Sequence, residues 1–187
     1  MNYTFTRAQI HSLICFLGAV LFFSTCMYLQ AFCRDFFEFG LGFTTVYLPA
    51  GAVFLCILLG GVSGALGIFL VLVIFYAHQA QNSPLELFLL LTGCSVMVQF
   101  VVVRGTLLAL KIPPNLENLK HSQLIILVVI FSITHSVCRH LYLFFLTDSR
   151  LGWIESRIGF ATFAGVMAVL LLLWIVTRVR KSVIQFE

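Results

Sequence analysis

Residues 46–76 read VYLPAGAVFLCILLGGVSGALGIFLVLVIFY, an uncharged run of 31 residues interrupted near its centre by Gly60-Gly61-Val62-Ser63-Gly64. A membrane-crossing helix takes about 20 apolar residues, so this run is too long for one crossing and barely long enough for two of about 15. Clustered glycines supply the backbone freedom that a tight reversal needs. We therefore expect two short helices, 44–59 and 62–79, packed closely together. The spacings Gly60-x-x-x-Gly64 and Ser63-x-x-x-Gly67 put small residues on one helix face. Apolar helices in lipid have no hydrophobic drive toward each other and associate through such close backbone approach, which makes Gly60, Gly64 and Gly67 packing positions.

The same character extends along the chain. Further apolar segments are expected at 12–32, 84–103, 123–147 and 158–177. The fourth helix has a defined start: Ser83 can cap, Pro84 suits the first helical position, and Glu86 can close a capping box. Residues 105–122 contain Pro113-Pro114 and are expected to lie along the membrane surface. The reading is all-α: a polytopic membrane bundle of about six transmembrane helices in a single integral membrane domain, 1–187. Composition agrees. Of the 187 residues 61% are apolar and only 10% charged, against roughly 45–50% and 25% in soluble domains, which excludes a soluble globular enzyme.

Net charge is +4, but the positive residues sit at helix ends and form no basic stripe, so no nucleic-acid partner is expected. They report orientation instead. Arg7, Arg104, Lys111, Lys120, Arg178, Arg180 and Lys181 fall on one side of the six-helix layout, and only Arg34, Arg150 and Arg157 on the other. The richer side is expected to be cytoplasmic, with both termini there. Tyr28, Tyr47, Tyr76, Tyr142 and Trp153 fall at the outer interface, where amphipathic rings prefer to sit. The 12–32 run exceeds the apolar core of a signal peptide and reads as a retained helix. The six cysteines form no C-x-x-C pair and read as small core residues without a disulfide framework. Thr25 before Cys26 argues against lipidation.

One crossing carries an ionisable cluster. Ser132, Thr134, His135, Ser136, Cys138, Arg139 and His140 all lie within the fifth helix, where 3.6-residue periodicity gathers Ser132, His135, Ser136 and Arg139 into one stripe. Arg139 is eight residues before Thr147, about 12 Å below the outer end at ~1.5 Å per residue. An unpaired cation at that depth costs a few kcal/mol, so Arg139 calls for a partner. The acids on that side are Asp35, Glu38, Glu86, Asp148 and Glu155. Two readings stay open: a structural pair, best made with Glu86, or an outward pocket in which Arg139 holds an anion while His135 or His140 donates hydrogen bonds or titrates. Ser136 belongs to that stripe. Thr92, Ser95 and Gln99 share a face of the fourth helix directed at it, and interhelical hydrogen bonding accounts for them.

His135, Cys138 and His140 point in different directions on a helix and make no metal site. No phosphate loop, nucleophile elbow, H-E-x-x-H or intramembrane aspartate pair is present, so no enzymatic activity and no cofactor are expected.

The stretch from Phe43 to Gly61, FTTVYLPAGAVFLCILLGG, followed by Gly64-Ala65-Leu66-Gly67-Ile68, resembles MASE1, the bacterial integral-membrane sensor domain, in its Pro-x-Gly entry and Leu-Leu-x-Gly exit. It is similar also to the substrate-capturing S subunits of energy-coupling-factor vitamin transporters. These resemblances imply a multi-pass protein of the bacterial inner membrane. The first implies a stand-alone sensor or accessory module that binds a small ligand and signals to a separate protein partner. The second implies a transport or ligand-capture subunit that needs an ATPase partner. A scaffold without a ligand is the third alternative. In each case the lipid bilayer is the surrounding partner, and the basic cytoplasmic positions suit anionic lipid equally well.

Overall fold

The computed structural model describes residues 6–33, 38–39, 43–44, 46–77, 84–113, 119–147, 162–170 and 172. Helix α1 is Arg7–Phe32. A two-residue antiparallel ladder follows, β1 (Glu38–Phe39) with β2 (Phe43–Thr44). The helical span Leu48–Ala77 breaks at Gly61, whose φ of 57° and ψ of −131° are non-helical. It comprises α2, residues 48–60, and α3, residues 62–77. Helix α4 is Leu85–Ala109 and α5 is His121–Thr147. Residues 162–170 are also helical and are termed α6.

Gly61 reverses the chain. A straight helix would set Cys56 and Gly64 about 12 Å apart, yet a Cβ added at Gly64 would collide with the Cys56 carbonyl. Contacts with α1 show the same reversal. The Leu48 N–H donates to Gln30 Oε1 (2.9 Å) and Gly60 lies beside Cys15, so α2 runs antiparallel to α1. Gly67 lies against Phe16, Ala19 and Val20 and Phe75 meets Tyr28 edge-on with ring centroids 6.4 Å apart, so α3 runs parallel to it. Each small residue has a distinct neighbour: Gly64 seats α3 on α2, Gly67 seats α3 on α1, and Gly60 faces α1.

The remaining helices continue the alternation. A Cβ added at Gly93 of α4 would lie 3.7 Å from the Phe69 ring of α3, Gln123 of α5 donates to the Leu110 carbonyl after α4 (3.3 Å), and Gly165 of α6 lies against Ser132 of α5. Gly51 of α2 abuts the Ala168 backbone. Helix α2 thereby becomes the central element, enclosed by α1, α3, α5 and α6, and every residue from Leu48 to Leu58 is buried. This explains its composition: a helix apolar on all sides is one surrounded on all sides. Leu21, Leu29, Leu66, Leu90, Val101, Leu108 and Ile125 are instead exposed on the perimeter. Among the described residues, four helical spans, with Leu48–Tyr76 counted as one, are long and apolar enough to cross a membrane. The chain is an α-helical membrane bundle.

Several boundaries differ from expectation for local reasons. Helix α1 starts at Arg7, not residue 12, because Thr6 and Gln9 form a reciprocal capping box that carries the helix beyond its apolar part. Residues 44–47 precede α2, with Thr44 in β2. Pro84 stands at the cap of α4 without a side-chain hydrogen bond rather than inside the first turn; Ser83 lies outside the described residues. Helix α4 does not stop at Arg104. It continues to Ala109, so 105–109 are helix and not a surface segment. It ends when Lys111 adopts φ 53° and the N–H groups of Lys111 and Ile112 donate to the carbonyls of Leu108 (3.0 Å) and Leu107 (2.9 Å). This is a Schellman end, sealed by the buried side chains of Leu107 and Ile112. Asp35, Asp148, Glu155, Arg34, Arg150, Arg157, Trp153, residues 158–161 and the basic positions 178–181 lie outside the described residues, as do the side chains of Glu38 and Tyr142.

Candidate functional site

Hydroxyl groups inside an apolar helix must find acceptors, and the nearest is the carbonyl four residues back. Thr92 donates to Phe88 O (2.8 Å), Thr134 to Ile130 O (2.9 Å) and Ser136 to Ser132 O (2.8 Å). His140 does likewise, donating from Nδ1 to Ser136 O (2.7 Å). These groups are satisfied within their own helices. The polar stripe of α5 therefore divides: Ser136 is satisfied within its own helix, as is the neighbouring His140, Ser132 Oγ is buried without a hydrogen-bond partner among the described residues, and His135 and Arg139 are directed at other helices.

His135 is held on three sides. Gln99 Nε2 on α4 donates to the Ser95 carbonyl (3.1 Å) and to Ser95 Oγ (3.0 Å), which fixes the amide so that Oε1 faces His135. The His135 Nδ1–H donates to that oxygen at 2.8 Å. Phe131 stacks on the imidazole, with centroids 5.7 Å apart and planes 28° apart, and Tyr47 lies 5.9 Å from it. The other ring nitrogen, Nε2, is buried with no hydrogen-bond partner among the described residues.

One turn further on, the Arg139 guanidinium carbon lies 4.2 Å from the centre of the Tyr47 ring, within cation–π range. Arg139 forms no ion pair among the described residues. Glu86, the carboxylate best suited to it by sequence, is exposed in the first turn of α4 and the structural pair expected with it is not formed. A cavity of about 60 Å³ adjoins this group, lined by Arg139, His135, Gln99, Ser95, Thr92 and Tyr47, with Phe23, Pro49, Val53, Leu72 and Tyr76 as its apolar wall. Such a volume holds a few waters or a ligand of a few heavy atoms.

Of the side chains singled out by sequence, Arg139, His135 and Gln99 meet at this cavity, whereas Ser136 and His140 do not line it. Tyr47 was legible only as an interfacial aromatic. Its position just before Pro49, at the mouth of the all-apolar α2, was the available signal that its ring would be drawn inward. The stripe Ala164, Gly165 and Ala168 also went unread, although small residues at this spacing mark a close helix contact; they bring α6 against Gly51 and Ser132.

The fold and site together define a helical membrane protein with a chamber lined by α1 to α5, apolar on the side of α1, α2 and α3 and polar on the side of α4 and α5. No family model, curated protein or solved structure matches the chain.

Proposed function

We propose that this chain is a six-crossing protein of the bacterial inner membrane, both termini cytoplasmic, acting as a sensor or accessory module that binds a small anion in an outward-facing pocket. The observation that carries this reading is Arg139: a half-buried guanidinium over an aromatic ring, beside a cavity, with no carboxylate paired to it among the described residues. A guanidinium keeps its charge and presents forked donors suited to a carboxylate or phosphate. In a low-dielectric bundle an arriving anion supplies the missing counter-charge. Arg139 and His135 are the contacting groups, Gln99 positions His135, and Ser136 and His140 shape the polar face of α5 from outside the chamber. Occupancy would draw α2, α4 and α5 together, and the cytoplasmic ends of α4 and α5 would pass that change to a protein partner.

Native mass spectrometry of the protein extracted gently from its own membrane tests this. Wild type is expected to carry a small anionic molecule that Arg139→Gln loses while remaining folded. Unliganded wild type with a stoichiometric protein partner would instead indicate a scaffold. Transport is the second reading, since the same chamber between alternating helices serves capture as well as sensing; accumulation of the anion in vesicles, dependent on an ATPase partner, would favour it.

A further inference from the structure

Building on the anion-site reading, we infer that the ligand is a hydroxylated carboxylate monoanion, of the 2-hydroxy acid type, whose carboxylate meets Arg139 and whose hydroxyl donates to His135 Nε2. The argument rests on which atoms remain unpaired. Gln99 is committed as a donor to Ser95, so its Oε1 can only accept, and His135 must keep its proton on Nδ1. In the neutral imidazole the remaining nitrogen is a pure acceptor. It is buried and has no partner among the described residues, an arrangement that disfavours the empty state and rewards a ligand that brings a donor. Phe131 and Tyr47 pack on the ring and Gln99 fixes its edge, so the acceptor is preorganised.

Arg139 follows His135 by one helical turn, and side chains at this spacing stand about 5–6 Å apart on one face. The ligand therefore presents its anionic group and its donor within a few bonds of each other. One guanidinium balances one negative charge. An ammonium donor would place a second cation beside Arg139, which selects against amino acids and for a hydroxyl. The cavity of about 60 Å³ limits the molecule to a few heavy atoms. Because Nε2 is enclosed, binding requires a side chain of the chamber wall to move aside.

The test compares lactate with propionate, two monoanions of similar size that differ by one hydroxyl, and with alanine, which replaces the hydroxyl by an ammonium. Binding is measured by calorimetry on the full chain in lipid nanodiscs. Lactate is expected to bind at least tenfold more tightly than propionate or alanine. Arg139→Gln should lose both lactate and propionate. His135→Phe keeps a ring between Phe131 and Tyr47, and should abolish the difference between lactate and propionate. Should that variant fail to fold, 2-fluoropropionate serves on wild type: its fluorine is close to a hydroxyl in size but donates no hydrogen bond, so it should bind no more tightly than propionate. Equal binding of lactate and propionate to wild type, both lost in Arg139→Gln, overturns the hydroxyl inference and leaves the anion site standing. Binding of neither anion overturns this inference, and the anion site then stands or falls on the native mass spectrum of wild type beside Arg139→Gln.

Discussion

Gly60 and Gly61 are neighbours with opposite requirements. At Gly60 an added Cβ would lie 3.6 Å from Cys15 Cβ, an ordinary contact, whereas Gly61 holds φ 57° and ψ −131°, a region that side chains enter at about 1–3 kcal/mol. At Gly64 the added carbon would meet the Cys56 backbone carbonyl, which cannot rotate away as a side chain would. Gly60→Ala is therefore expected to be neutral or slightly stabilising in an unfolding titration in mixed micelles. Gly61→Ala and Gly64→Ala should each lose about 1–3 kcal/mol. Equal effects at all three positions would mean that the turn is not at Gly61. The sequence showed that these glycines pack, but not which one carries the reversal, because periodicity reports faces and not dihedral angles. The Arg139, His135 and Gln99 meeting was legible for a different reason: costly polar groups inside apolar helices must converge. Which of the stripe's members turn inward was not, since Ser136 and His140 find acceptors on their own backbone, a choice that depends on rotamers.

At the scale of the element, helix interiors were easier to read than helix ends. Hydropathy places the body of α4 well, but a charged residue is a poor marker of where it stops. Arg104 lies inside the helix, its guanidinium 6.0 Å from the Phe100 ring centre, and the helix runs on to Ala109 because a Schellman end is made by backbone geometry and needs no charge. Arg104 Nη2 also approaches Gly61, where the C-terminal end of α2 favours a positive charge. The end of α4 uses Lys111 at φ 53°, a left-handed position where an L side chain is disfavoured and glycine is not. Lys111→Gly should stabilise the protein by about 0.5–1 kcal/mol in the same unfolding titration. Lys111→Ala, which removes the same charge and keeps the Cβ, should give no such gain. A gain of equal size in both variants would assign the effect to charge and not to backbone conformation. Gln123 takes part in the same turn, accepting from the Lys120 N–H (3.0 Å) while donating to the Leu110 carbonyl, so backbone groups and one amide tie the start of α5 to the end of α4.

For the whole molecule, the contacts fix which helix ends lie together. Cys15 of α1, the Gly61 turn and Arg104 of α4 meet toward one end, whereas Gln30, Leu48 and the α4 start at Pro84 lie toward the other. Helix α6 runs from Ala164 beside Tyr47 to Ala168 beside Gly51, toward the end at which α1 begins. Arms of 48–60 and 62–77 measure about 20–24 Å at ~1.5 Å per residue, short of the ~30 Å hydrocarbon core, so the Gly61 turn sits beneath the headgroups unless the bilayer thins around it. This geometry gives a sharp topological prediction. With α1, α2 and α3 between them, Thr6 and Pro84 stand on opposite sides of the membrane; were residues 48–77 one straight crossing, two crossings would separate them and they would stand on the same side. Both positions are exposed. In a cysteine-free background, Pro84→Cys in intact cells should react with a membrane-impermeant maleimide, and Thr6→Cys and Lys120→Cys only after permeabilisation, as the positive-residue bias requires. Labelling of Thr6→Cys and Pro84→Cys from the same side would overturn the hairpin. Labelling of Thr6→Cys and Lys120→Cys alone in intact cells would keep the hairpin, invert the bundle, and turn the Arg139 chamber to face the cytoplasm.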